Sequence, residues 1–115
     1  MTTCRWGDVV IVRFPYSDLS TLRKRPALVV QDERVETGLS QRLVCQITSN
    51  LSRTGVTRVF VGRETPVGRT MGLRTDSMIV ADNIATVLPR QIDRVIGRCT
   101  AMREVGDALR RVLRL

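Results

Sequence analysis

Short runs of β-branched and other apolar residues, each soon stopped by proline, glycine or a polar cluster, set the tightest limit on how this chain can fold. Val9-Val10-Ile11-Val12-Arg13-Phe14 ends at Pro15, which cannot continue a central strand. Ala27-Leu28-Val29-Val30 follows Pro26 and is continuously apolar, the pattern of a strand buried on both faces. Leu43-Val44-Cys45-Gln46-Ile47-Thr48 closes at Ser49-Asn50, and Arg58-Val59-Phe60-Val61 closes at Gly62. Ser77-Met78-Ile79-Val80 and Thr86-Val87-Leu88 complete the set. Only the C-terminal segment changes period. There Met102, Val105, Leu109 and Val112 recur at helical spacing, with arginines, Glu104 and Asp107 between them, which predicts an amphipathic helix. A shorter helix is expected near Pro89, since proline suits a first turn. Segments 15–26, 31–42 and 62–76 are polar and read as loops, the first long enough to be a binding loop. Strands followed by one helix, without βαβ alternation, predict a mainly β chain with a C-terminal α-helix, curled into a small antiparallel barrel. At 115 residues, with no repeat and no linker, residues 1–115 form a single domain.

A hydrophobic content of 43% suits a packed core and excludes the makeup of a disordered chain. Cys4, Cys45 and Cys99 are odd in number, far apart and without histidine to complete a zinc set, so they read as buried or half-buried free thiols in a reducing compartment. Met1 leads into polar and charged residues, and the apolar runs are far too short to span a bilayer. The expectation is a cytoplasmic protein without a membrane partner.

Charge narrows the partner. The formal net charge is +8, and Lys24 is the one lysine among 19 basic residues. Arginine presents a planar donor fork matched to phosphate and carboxylate, so the chain is suited to a polyanion, either nucleic acid or an acidic protein. The C-terminal arginines read first as the solvated face of their helix, placed at the negative end of its dipole. The count of zero histidines removes imidazole acid–base chemistry and most transition-metal sites. No metal or other cofactor is expected, and any catalysis must use arginine, hydroxyls, carboxylates or backbone groups.

Polar residues gather at strand ends. Arg25 precedes the second strand, Thr48-Ser49-Asn50 ends the third, and Asp82-Asn83 follows the fifth. A guanidinium, hydroxyls and an amide converging on one face of a small barrel can hold a phosphodiester. The plainer reading of Thr48-Ser49-Asn50 and of Asp82-Asn83 is ordinary turn chemistry. Among few aromatic residues, Trp6 and Phe14 read as packing and Tyr16 as the best candidate for stacking on a base.

Gly7-Asp8-Val9-Val10, Arg25-Pro26-Ala27-Leu28-Val29-Val30, Ile47-Thr48-Ser49-Asn50, and Asp76-Ser77-Met78-Ile79 leading to Asp82-Asn83 and Thr86-Val87 follow one another along the chain. In that order and spacing they resemble the successive blocks of the MazF/PemK toxins. The resemblance implies an SH3-like barrel, a homodimer, and metal-independent cleavage of single-stranded RNA at short sequences. It also implies an acidic antitoxin that blocks the RNA groove. By position, Arg25 matches the arginine the family uses catalytically, Thr48 the hydroxyl residue after the third strand, and Asp82 a carboxylate serving some members as base or RNA contact. Tyr16, Ser17, Arg23, Lys24, Ser49, Asn50 and Asn83 are the accompanying RNA-binding candidates. One position departs from the PemK-like pattern. The arginine two residues before the carboxylate is replaced by Val80, which leaves Arg25 as the principal cation.

The chemistry follows from RNA itself, which carries its own nucleophile in the 2′-hydroxyl. A protein need only align that group with the adjacent phosphate and stabilise the pentavalent oxyanion. Arg25 suits the second task and Thr48 the first. Two other readings share the architecture: a non-catalytic nucleic-acid- or protein-binding barrel, and a CcdB-like gyrase poison. The second lacks its Trp-Gly-Ile ending here, since the chain ends Leu113-Arg114-Leu115.

Overall fold

The computed structural model describes residues 3–15 and 22–115. Six strands form one antiparallel sheet: β1 (Asp8–Pro15), β2 (Leu22–Val29), β3 (Arg42–Thr48), β4 (Arg58–Val61), β5 (Ser77–Val87) and β6 (Ile92–Arg98). Their order across the sheet is β4-β5-β3-β2-β1-β6. Helix α1 (Pro66–Met71) joins β4 to β5, a single 3-10 turn (Pro89–Gln91) joins β5 to β6, and α2 (Met102–Leu113) ends the chain.

The continuous apolar runs are explained by burial on both faces of a curled sheet. Val9, Leu28, Cys45 and Ile47 join one core cluster, together with Met71 of α1 and Met102 and Val105 of α2. The alternate residues Val10, Val12, Ala27, Val29 and Val44 join a second, closed by Cys4, Val87 and Ile92. The period-two alternation of strand side chains therefore delivers apolar groups to both clusters from the same three strands. Helix α2 buries Met102 and Val105 of the expected face together with Ala108, while Leu109 and Val112 of that face are partly buried. Burying each of the larger of these stabilises the packing by roughly 1.5–3 kcal/mol.

Several elements differ from the sequence reading. β2 begins at Leu22, inside the segment expected to be a loop. The segment 62–76 contains α1, which Thr65 caps by accepting a hydrogen bond from the Gly68 amide at 3.1 Å. Pro66 starts that helix, and Gly72 ends it in the left-handed conformation at φ 74°. The two runs expected as separate strands around Asp82-Asn83 form the single strand β5. A bulge makes this possible. Gln46 pairs with Val80 but Cys45 pairs with Ile84, so Ala81, Asp82 and Asn83 are looped out of the ladder. β6 is a further strand not expected from its charged sequence, and it forms an edge of the sheet, where charge is tolerated.

Close backbone approach fixes α1 against β6. A Cβ at Gly97 would lie 2.4 Å from the Met71 carbonyl oxygen and 2.5 Å from that of Thr70. Gly97→Ala is expected to cost about 1–3 kcal/mol by overpacking this contact. Thermal melts of the two proteins check it, and an unchanged midpoint would mean the helix moves aside freely.

All three cysteines are free and buried, as expected. Burial pushes the Cys45 thiol up to about 11, with the nearby Asp82 charge adding to the effect. Burial likewise raises Cys4 and Cys99. In the folded state these thiols keep their protons at pH values where unfolded thiols near 9.0 lose them. Stability should therefore be fully present below about pH 9 and fall as pH rises toward 11, because the unfolded state then binds fewer protons. Native protein at pH 8 is expected to resist a thiol reagent that labels every cysteine after denaturation.

Candidate nucleic-acid groove

The site originates in one interrupted ladder. The Val30 amide donates to the Leu43 carbonyl at 3.0 Å, so every second residue of β2 from there directs its N–H toward β3. Leu28 continues the pattern opposite Cys45, and the next position is Pro26, which has no N–H to give. The β2–β3 pairing stops at Ala27↔Gln46. Beyond it β2 remains paired with β1 as far as Leu22, and β3 remains paired with β5 as far as Thr48. Between them the sheet is split. Continuing the register by two residues would place Arg25 across from Thr48, at a position without ladder bonds where facing side chains approach most closely.

A groove of about 650 Å³ occupies this opening. Lys24, Arg25 and Pro26 come from β2, Gln46, Ile47 and Thr48 from β3, and Ser49 and Asn50 from the turn that follows. Arg74 and Thr75 after α1, Ser77 of β5, and Arg94 and Ile96 of β6 complete the lining. Thr48 Oγ1 accepts from the Asn50 amide at 3.1 Å, and Asn50 Oδ1 accepts from the Ser52 amide at 3.0 Å. With its acceptor side occupied, the Thr48 hydroxyl has its proton available for a phosphate oxygen in the groove.

Cations dominate the electrostatics. Asp93 accepts from Arg13 at 3.2 Å, lies 3.5 Å from Lys24, and is in contact with Arg94. Burial opposes ionisation of Asp93, but the Arg94 hydrogen bond and the charges of Lys24 and Arg13 outweigh it and hold its pKa below the ordinary value. Asp93 thereby ties two groove cations, Lys24 and Arg94, to one anchor. Among the described residues neither cysteine nor carboxylate lines the groove, and no cluster of three or more cysteines, aspartates and glutamates is arranged to hold a metal.

The structure brings together Arg25, Thr48, Lys24, Ser49 and Asn50 of the expected set. Arg23 is exposed on β2 and does not line the groove. Asp82 and Asn83 sit on the β5 bulge and are also outside the lining. Asn83 reaches the site indirectly, donating from Nδ2 to Oε1 of the groove residue Gln46 at 2.9 Å. Asp82 instead acts electrostatically on buried Cys45. Tyr16, Ser17 and the Phe14 side chain lie outside the described residues. Trp6, expected to pack, is 42% exposed and lies away from the groove. Gln46, Arg74 and Arg94 were missed by sequence reasoning. The one available signal was Gln46, a polar residue interrupting an apolar strand.

Known proteins of the same fold are plain. The chain superposes with a TM-score of 0.76 on a mycobacterial endoribonuclease in complex with its cognate antitoxin, at 22% identity over 98% of this chain and 97% of that one. It superposes with a TM-score of 0.73 on the Mycobacterium tuberculosis toxin MazF-mt6, at 24% identity over 94% and 97% of the two chains. MazF from Deinococcus radiodurans gives a TM-score of 0.73 at 19% identity, with 97% of both chains covered. Curated protein sequences give no significant match. The sequence pattern of one family matches from residue 5 to residue 114, which takes in β1 through α2 and every residue of the groove. The chain belongs to the family of PemK-like, MazF-like toxins of type II toxin–antitoxin systems.

Proposed function

We propose that this chain is an endoribonuclease toxin that cleaves single-stranded RNA at short sequences, without a metal, in the split between β2 and β3. The observation that carries the reading is the meeting of Arg25 and Thr48 in one basic groove, within a chain of this toxin family. Arg25 supplies a fixed charge and a bidentate fork for the pentavalent phosphorane that forms when the 2′-hydroxyl attacks. Thr48 donates to a non-bridging oxygen and so aligns the phosphate for in-line attack. The products are a 2′,3′-cyclic phosphate and a free 5′-hydroxyl. Asp82 would serve as base or RNA contact only where RNA extends onto the β5 bulge, since it does not line the groove. The 2′-hydroxyl proton then passes to solvent or to a phosphate oxygen. Tyr16, Ser17, Arg23, Ser49, Asn50 and Asn83 belong to the same reading as contacts to the flanking nucleotides. The protein would act in the cytoplasm as a homodimer, restrained by an acidic antitoxin whose carboxylates compete with RNA phosphates for the groove cations.

Incubation with a long transcript in EDTA tests the activity. Cutting is expected to persist, with Arg25→Ala reducing the rate about a hundredfold to a thousandfold and Thr48→Ala by about tenfold to a hundredfold, the scale of lost oxyanion and neutral hydrogen-bond donors. A DNA strand of the same sequence should survive, having no 2′-hydroxyl. Cutting that survives both substitutions in folded protein would place the chemistry elsewhere.

A further inference from the structure

The groove cations differ in how they are partnered. Lys24 and Arg94 both face Asp93. Arg74 lines the same groove, is exposed, and has no hydrogen bond or ion pair to any of the described residues. The nearest carboxylate in sequence is committed elsewhere, because Asp76 Oδ1 accepts from the Arg63 amide at 2.8 Å.

The turn that carries Arg74 is held by backbone contacts. Gly72 adopts φ 74°, and a Cβ there would lie 2.3 Å from the Ile96 carbonyl oxygen, so the turn is seated directly on β6. The Leu73 amide donates to the Gly68 carbonyl at 3.3 Å. Ser77, only 4% exposed, donates from Oγ to the Thr75 carbonyl at 3.0 Å. A rigid turn thus presents a guanidinium with no acidic partner among the described residues to the same opening as Arg25. Val80 is 2% exposed and offers no group to the groove.

We infer that Arg74 is a second phosphate-binding guanidinium of this groove, gripping the RNA backbone from the turn after α1 while Arg25 acts from β2. The inference rests on reading the groove as an RNA site. Its physical basis is that a cation already neutralised by a carboxylate gains less from a phosphate than one whose fork is unoccupied.

Two measurements test it together. Binding of a random-sequence 2′-O-methyl oligoribonucleotide, which lacks the nucleophile, is followed against salt concentration for wild type, Arg74→Ala, Arg74→Lys and Arg103→Ala. Loss of one phosphate contact lowers the slope of log affinity against log salt by about 0.7 for a single strand. That decrease is expected in Arg74→Ala and not in Arg74→Lys, which keeps the charge, nor in Arg103→Ala, which is on α2 outside the groove. Cleavage of a long transcript by Arg74→Ala should fall about tenfold to a hundredfold, the range for a lost charge-assisted hydrogen bond. A wild-type slope in folded Arg74→Ala overturns the inference whatever cleavage does. A lowered slope in a protein whose wild type never cuts RNA retains the contact and defeats the nuclease reading. A wild type that binds no RNA defeats both.

Discussion

Pro26 has no amide hydrogen, and it occupies the position at which β2 would next donate to β3. One missing donor is a small local fact, yet it decides where the sheet can open. On either side the ladders continue, β2 with β1 and β3 with β5, so the split is held apart by intact structure rather than by a flexible loop. The residues flanking the break are Arg25, a guanidinium, and Thr48, a hydroxyl, the pair proposed to act on a phosphodiester. Curling of the sheet brings β6 and the turn after α1 around to complete the lining. The groove is a consequence of the interrupted β2–β3 ladder, and its rigidity is inherited from two cores that bury both faces of the central strands.

Charge in this groove is permanent. With no histidine in the chain and no carboxylate among the described lining residues, the site has arginine, lysine, hydroxyls and amides with which to work. Such a set stabilises negative charge well and transfers protons poorly, which suits a reaction whose nucleophile is already part of the substrate. Asp93 is the counterweight: it gathers Arg13, Lys24 and Arg94 and so limits repulsion among cations crowded near one wall. A protein with net charge +8 needs such anchors if its cations are to face one groove rather than scatter.

Much of this was legible in the sequence. The apolar runs marked β1, the core of β2, β3 and β4, and the period of Met102, Val105, Leu109 and Val112 marked α2. Arg25 and Thr48 stood out because charged and hydroxyl residues bounded otherwise apolar strands. What escaped had physical reasons. Helix α1 has only six residues and shows few periodic apolar positions, although Thr65-Pro66 and Gly72 are ordinary start and stop signals. β6 is charged because it is an edge strand, so its pattern resembles a loop. Asp82-Asn83 read as a turn because a three-residue bulge and a turn use the same polar residues; only the register with β3 distinguishes them. Arg74 and Arg94 could not be assigned to the groove without knowing that α1 and β6 existed, since those elements place them.

The central claim is that Arg25 and Thr48 act on one phosphodiester across the Pro26 break. A double-mutant cycle on single-turnover RNA cleavage, using Arg25→Ala, Thr48→Ala and the combined variant, tests this directly. Groups that act as a unit on the same transition state give losses that do not multiply, so the combined variant should be little worse than Arg25→Ala alone. Losses that multiply fully would mean the two side chains work independently, and the groove would not be the single site described.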